Sequence, residues 1–237
     1  GLTFPEVTTG GEIILDDTDP SGAYANFANT GSTITSATIN IPVAWDGGGS
    51  ARDSYALQTF IHEIGHTLGL GHAGNYNGDA TYGIDNLYAN DSWQATIMSY
   101  FNQDENTFVN ASYRYVMTPM MADIFALITM YGPDANTRTG NTIYGHNSNA
   151  GAHLNFATYT TAPSYLIYDS GGIDTLDASL YSQAQSAGTN FHCVFQNAGA
   201  AFDRIIILSD MQGWIGGHAP VQAFACDDEE HEAQFVV

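Results

Sequence analysis

His62, Glu63 and His66 stand in the order H-E-x-x-H, and Gly69 and His72 extend the pattern to H-E-x-x-H-x-x-G-x-x-H. On a helix, residues four apart rise ~6 Å and turn ~40° beyond a full revolution, so His62 and His66 leave the same face. Two imidazoles so placed can chelate one ion at about 2.0–2.1 Å. A third ligand farther along a straight helix lies out of reach. Gly69 can take positive φ, turning the chain so that His72 swings back towards the other two. Three neutral imidazoles leave a fourth position open for water, which is the pattern of a catalytic rather than a structural zinc site. Glu63, next to the first ligand but outside the coordination shell, is placed to take a proton from that water.

These side chains need a helix, and the surrounding sequence predicts one. Leu57, Phe60, Ile61, Ile64 and Leu68 form an i, i+3, i+4, i+7, i+11 stripe. Ser50-Ala51-Arg52-Asp53, after Gly47-Gly48-Gly49, reads as the start, and Gly69 with Gly71 as the end. Upstream, Glu12–Asp16 and Ser36–Pro42 are short β-branched runs between turn residues, predicting strands. Residues 71–117 have little periodicity and read mostly as loop. A second helix is predicted after Thr118-Pro119 as N-cap and first residue, with Met121, Ile124, Phe125 and Ile128 as its stripe and Gly132-Pro133 as its stop. Short β segments and turns follow, so a boundary is expected near 133–137.

Composition narrows the function classes. Twenty-five acidic residues face four arginines and no lysine, for a formal charge of −21 over 237 residues. Such a chain has little with which to neutralise phosphate, so neither nucleic acid nor an anionic membrane is expected as a partner. No apolar run approaches the ~20 residues of a membrane helix, and no basic-then-apolar leader opens the sequence. Cys193 and Cys226 have no nucleophile context, and they could pair or stay free. His146, His153, His192, His218 and His231 lack helical ligand spacing and are assigned no role. The acidic run Asp227–Glu232 reads as a solvated tail.

The extended histidine motif, with Ile97-Met98-Ser99-Tyr100 downstream, resembles the metzincin zinc endopeptidases. More narrowly, His62–His72, Tyr88–Tyr100 and the segment Thr118–Ile124 are similar to the serralysins, which are secreted bacterial proteases. The resemblance implies an α+β fold: a metzincin-like twisted sheet, an active-site helix and a Met-turn, then a β-rich, partly β-roll-like C-terminal part. It implies that Met98 is the methionine beneath the zinc, and that Tyr100 is both a loosely held fifth ligand and a hydrogen-bond donor to the reacting carbonyl. It implies a secreted, extracellular endopeptidase. This enzyme would cleave peptide bonds of extended protein substrates by zinc-activated water, with Glu63 as general base. A proteinaceous inhibitor is an implied partner. The stretch Ser21–Ile34 resembles the family's edge strand, on which a substrate peptide would pair.

Two Gly/Asp/Thr turns, 138–142 and 169–175, offer carbonyls and carboxylates, the hard oxygens that calcium prefers. By the resemblance they jointly bind at least one structural Ca2+ through carbonyls of Arg138, Gly140 and Gly171, with Thr142, Asp169 and Asp174. The expected organisation is a catalytic domain over 1–136, lacking the family's first helix and strand, and a calcium-binding region over 137–237 that diverges after about 183. The alternative is a calcium-binding β module carrying an inactive protease remnant.

Overall fold

The computed structural model describes residues 2–45, 51–108, 111–160, 163–177 and the strand 204–208. It is mixed α and β, and its contacts divide it into two compact units, Gly1–Gly132 and Pro133–Val237.

The first unit opens with a three-stranded sheet. β1 (Ile13–Asp16) runs parallel to β3 (Thr33–Asn40), and β2 (Tyr24–Thr30) runs antiparallel to β3 on its other side. The period of two is visible in β3 and just beyond it, where Ala37, Ile39 and Ile41 are buried. Asn40 is also fully buried, and its polar atoms are satisfied: Nδ2 donates to the carbonyls of Asp19 and Gly22, and Oδ1 accepts from the Asp19 amide. This ties the approach to β2 against the end of β3.

α1 (Tyr55–Thr67) packs on β2 and β3. Its cap is Ser54, whose hydroxyl accepts from Leu57 N at 3.2 Å; Ser50, the expected start, lies outside the described residues. The expected apolar stripe is only half-buried, whereas Gln58, Thr59, Glu63 and Thr67 are the buried side chains. The reason is long-range pairing. Gln58 Oε1 accepts from Val116 N at 2.7 Å, so a polar side chain can face inward without an unmet hydrogen bond.

The helix ends in a glycine turn. Gly69 has φ +93, its amide donates to His66 O, and Leu70 N donates back to Gly65 O, which together make a Schellman cap.

Residues 71–117 have almost no regular structure, yet they supply much of the core: Tyr76, Trp93, Ile97, Met98, Phe101, Val116 and Met117 are all buried. Buried irregular backbone needs partners, and side chains provide them. Ser99 Oγ accepts from Phe101 N, and Gln103 exchanges two hydrogen bonds with the backbone of Arg114. α2 (Met121–Tyr131) follows, two residues later than the Thr118 cap would place it. Met120 is the N-cap, and its amide donates to Asp123 Oδ2 at 2.7 Å. Phe125, expected in the buried stripe, is 60% exposed.

In the second unit β4 (Ile143–Gly145) pairs in parallel with β6 (Thr175–Asp177), and β5 (Tyr165–Asp169) pairs antiparallel with β7 (Arg204–Leu208). Tyr144, Leu154, Phe156, Tyr165, Leu166 and Ile167 form its core. Cys193, Cys226 and the acidic run lie outside the described residues. No described helix is long and apolar enough to cross a membrane.

Candidate metal centre

His62 and His66 project from one face of α1, and the Gly69 turn brings His72 to them. His66 Nε2 stands 3.1 Å from His62 Nε2 and 3.1 Å from His72 Nε2. Nitrogens on a tetrahedral ion with bonds of about 2.0–2.1 Å would stand about 3.3–3.4 Å apart, close to these separations.

The other ring nitrogens decide what sits at the centre. Each Nδ1 lies 2.8 Å from a backbone carbonyl: His62 from Ile97 O, His66 from Leu70 O and His72 from Tyr76 O. A carbonyl only accepts, so each Nδ1 carries the proton and each neutral ring turns an Nε2 lone pair inward. Burial favours the neutral form, pushing His62 down to about 4 and His66 and His72 below their ordinary value. Three converging lone pairs, with the His66 nitrogen 3.1 Å from each of the other two, repel unless a cation lies among them. The donor set is therefore that of a zinc site. Among the described residues no other group of three His, Cys, Asp or Glu side chains converges in this way.

Two comparisons with known proteins agree. Residues 20–126 match the family model for the reprolysin-like M12B metallopeptidases, and residues 133–209 match that for the serralysin C-terminal domain of peptidase family M10. The chain is 44% identical to serralysin C of Dickeya chrysanthemi over 142 residues, 58% of this chain and 29% of that protein. It is 39% identical to serralysin B of the same organism over 197 residues, 80% of this chain and 39% of that protein. It is 33% identical to metalloprotease AprA of Pseudomonas entomophila (strain L48) over 211 residues, 80% of this chain and 42% of that protein. These matches support a serralysin-type metzincin. The chain spans less than half the length of these relatives.

Glu63 is 7% exposed. Burial pushes its carboxyl up to about 7, against the opposing pull of a hydrogen bond from the Ala25 amide of β2. Tyr100 lays its ring 4.5 Å from the His72 ring centre and 6.3 Å from that of His62, while its hydroxyl oxygen accepts from Gly78 N at 3.3 Å. Met98 is 2% exposed, and its sulfur lies against Gly65, where a β-carbon would stand only 2.6 Å away.

A residue that motif reading did not assign a role holds the segment leading to Met98 in place. Asp123 Oδ1 accepts from Thr96 Oγ1 at 2.5 Å, and its Oδ2 accepts from Ile97 N at 2.8 Å and Met120 N at 2.7 Å. Ile97 is the residue whose carbonyl holds His62, so Asp123 anchors the residue that orients the first histidine. Burial pushes the Asp123 carboxyl up despite these three donors. Its position three residues after the Met120 cap is the capping-box spacing, the one sequence signal that could have singled it out.

The two candidate calcium turns meet within the second unit. Asp174 Oδ1 accepts from Thr142 N at 2.9 Å, Thr142 Oγ1 donates to Gly140 O at 3.1 Å, and Ile173 N donates to Asn141 Oδ1 at 2.9 Å. Asp169 is buried and accepts from Gly171 N and from the Tyr144 hydroxyl. Arg138 has φ +53, and its guanidinium donates to Tyr168 O. All six residues expected at the calcium site thus lie on two apposed turns.

Proposed function

We propose that this chain carries the catalytic machinery of a secreted bacterial zinc endopeptidase that hydrolyses peptide bonds in extended protein segments. The convergence of three inward lone pairs from His62, His66 and His72 carries the reading, because only a cation makes that arrangement favourable. When bound, zinc lowers the pKa of water and polarises the scissile carbonyl. Glu63 receives the proton of the attacking water and returns it to the leaving amine. Its burial and the Ala25 amide support that role, since they hold the carboxylate in one orientation beside the histidines.

Tyr100 is the loosely held additional ligand. When moved aside, it donates its hydroxyl to the carbonyl oxygen as negative charge gathers there. Met98 forms the floor of the site as the Met-turn methionine. An extended substrate pairs with the edge of β2 by backbone hydrogen bonds, which read little sequence.

The turns 138–142 and 169–174 hold one structural calcium through the Arg138, Gly140 and Gly171 carbonyls with Thr142, Asp169 and Asp174. Their apposition supports this reading. The alternative, an inactive remnant on a calcium-binding module, is disfavoured by the complete set of histidines and Glu63.

Casein cleavage tests the proposal. The chain should lose cleavage to a chelator and regain it with zinc. Glu63→Gln should keep zinc while losing roughly 10²–10⁴-fold in turnover. Cleavage indifferent to chelation, or a Glu63→Gln variant as fast as the parent, would overturn it.

A further inference from the structure

His72 differs from the other two histidines in what carries it. His62 and His66 stand on α1, whereas His72 sits in the irregular segment beyond the helix. Its Nδ1 is held by Tyr76 O, so the orientation of the third imidazole depends on where Tyr76 is fixed.

Tyr76 is fixed by its side chain. It is 5% exposed, and its ring stacks on that of His72 with centres 5.7 Å apart and planes at 22°. The far end of the ring reaches a buried carboxylate: the hydroxyl lies 3.1 Å from both Oδ1 and Oδ2 of Asp91, itself 2% exposed. Asp91 is held in turn, with its amide donating to Tyr88 O and its carbonyl accepting from Asn106 Nδ2. The fit around the ring is close on the other side as well. A β-carbon on Gly74 would stand 2.6 Å from Tyr76 Cε1, so only glycine leaves room for the ring there. Phe101 meets the same ring edge-on at 5.3 Å.

We infer that Tyr76 is the positioning residue for the third metal ligand, with Asp91 as its latch: the Asp91 carboxylate fixes the Tyr76 hydroxyl, and Tyr76 fixes His72 through its carbonyl and its ring face. The inference rests on the zinc reading above and adds which residues set how tightly the ion is kept. An arrangement of this kind needs no contact between Asp91 and the metal. It acts by keeping His72 in the one rotamer and tautomer that completes the site, and outer partners of this type change metal affinity by about 10–100-fold.

The test measures zinc dissociation constants on the full chain by competition with a chromophoric chelator, beside the visible spectrum of the cobalt-loaded chain. Tyr76→Phe keeps ring and carbonyl and removes only the hydroxyl. It should weaken zinc binding by at least tenfold and alter the cobalt bands. Asp91→Asn, which leaves a weaker neutral acceptor, should weaken zinc binding less. Tyr76→Phe combined with Asp91→Asn should be no worse than the larger single effect, because both break one connection. Ile39→Val, a core truncation in β3, should lower the thermal midpoint and leave the zinc constant unchanged. A Tyr76→Phe chain that binds zinc within twofold of the parent overturns the inference and leaves the zinc reading standing. So does an Ile39→Val chain that weakens zinc as much as Tyr76→Phe. A parent chain that takes up no zinc overturns both.

Discussion

The sulfur of Met98 occupies the place that a side chain on Gly65 would need, since a β-carbon there would lie 2.6 Å from it. α1 and the segment carrying Met98 therefore touch at a point with no spare volume. In an exposed helix, Gly→Ala would stabilise by roughly 0.5–1 kcal/mol. Here the sign should reverse, because overpacking a tight contact costs about 1–3 kcal/mol. Gly65→Ala is expected to lower the urea midpoint and weaken zinc binding. Adding Met98→Ala should recover part of the Gly65→Ala defect, and a purely additive double mutant would show that the contact does not matter.

Asp123 carries a different kind of load. Truncation to Ala leaves the donors of Thr96, Ile97 and Met120 without their acceptor in a buried setting. Each buried unmet donor costs about 1–3 kcal/mol, with some relief where water can enter. Asp123→Ala is expected to lose roughly 2–4 kcal/mol in denaturant unfolding, and Asp123→Asn less, since one carbonyl oxygen remains. Both should also weaken zinc, because the Ile97 carbonyl that holds His62 would be freed. A stability loss with zinc affinity intact would separate Asp123 from the metal centre.

Acid should act on the zinc-stripped chain through the histidines. Burial holds His62 down at about 4 from 6.5, and His66 and His72 are lowered too. The native chain then binds fewer protons than the unfolded chain, so this contribution is fully present above pH 6.5 and is lost as the pH falls towards about 4. Glu63, pushed up to about 7, takes its proton earlier in the native chain and opposes this trend, so a comparison is needed. Thermal midpoints of the stripped parent should fall more steeply through it than those of His62→Gln, and parallel curves would contradict the assignment.

Local chemistry made the histidine site readable before any coordinates. The i, i+4 spacing fixes one helix face, and Gly69, at φ +93, makes the turn the motif requires. Both relations lie within eleven residues. What was not readable depends on distant partners. Ser54 caps the described helix, four residues after the expected start, and both serines carry a hydroxyl suited to capping. Gln58 and Glu63 turn inward ahead of much of the apolar stripe because Val116 and Ala25 amides meet them there. Tyr76 and Asp91 stand fifteen residues apart in a stretch with no periodicity, so nothing short-range pairs them. Phe125 keeps helical spacing yet lies exposed, since periodicity places a residue on a face without saying what covers that face.

The most direct test is metal content. Zinc measured by elemental analysis on the purified full chain, referenced to protein by amino-acid analysis, should approach one ion per chain, and replacing any one of His62, His66 or His72 by Ala should lower retention after brief dialysis against a weak chelator. A parent that retains no zinc after loading, or one whose zinc survives the loss of all three imidazoles, would contradict the convergence of lone pairs on which the account rests.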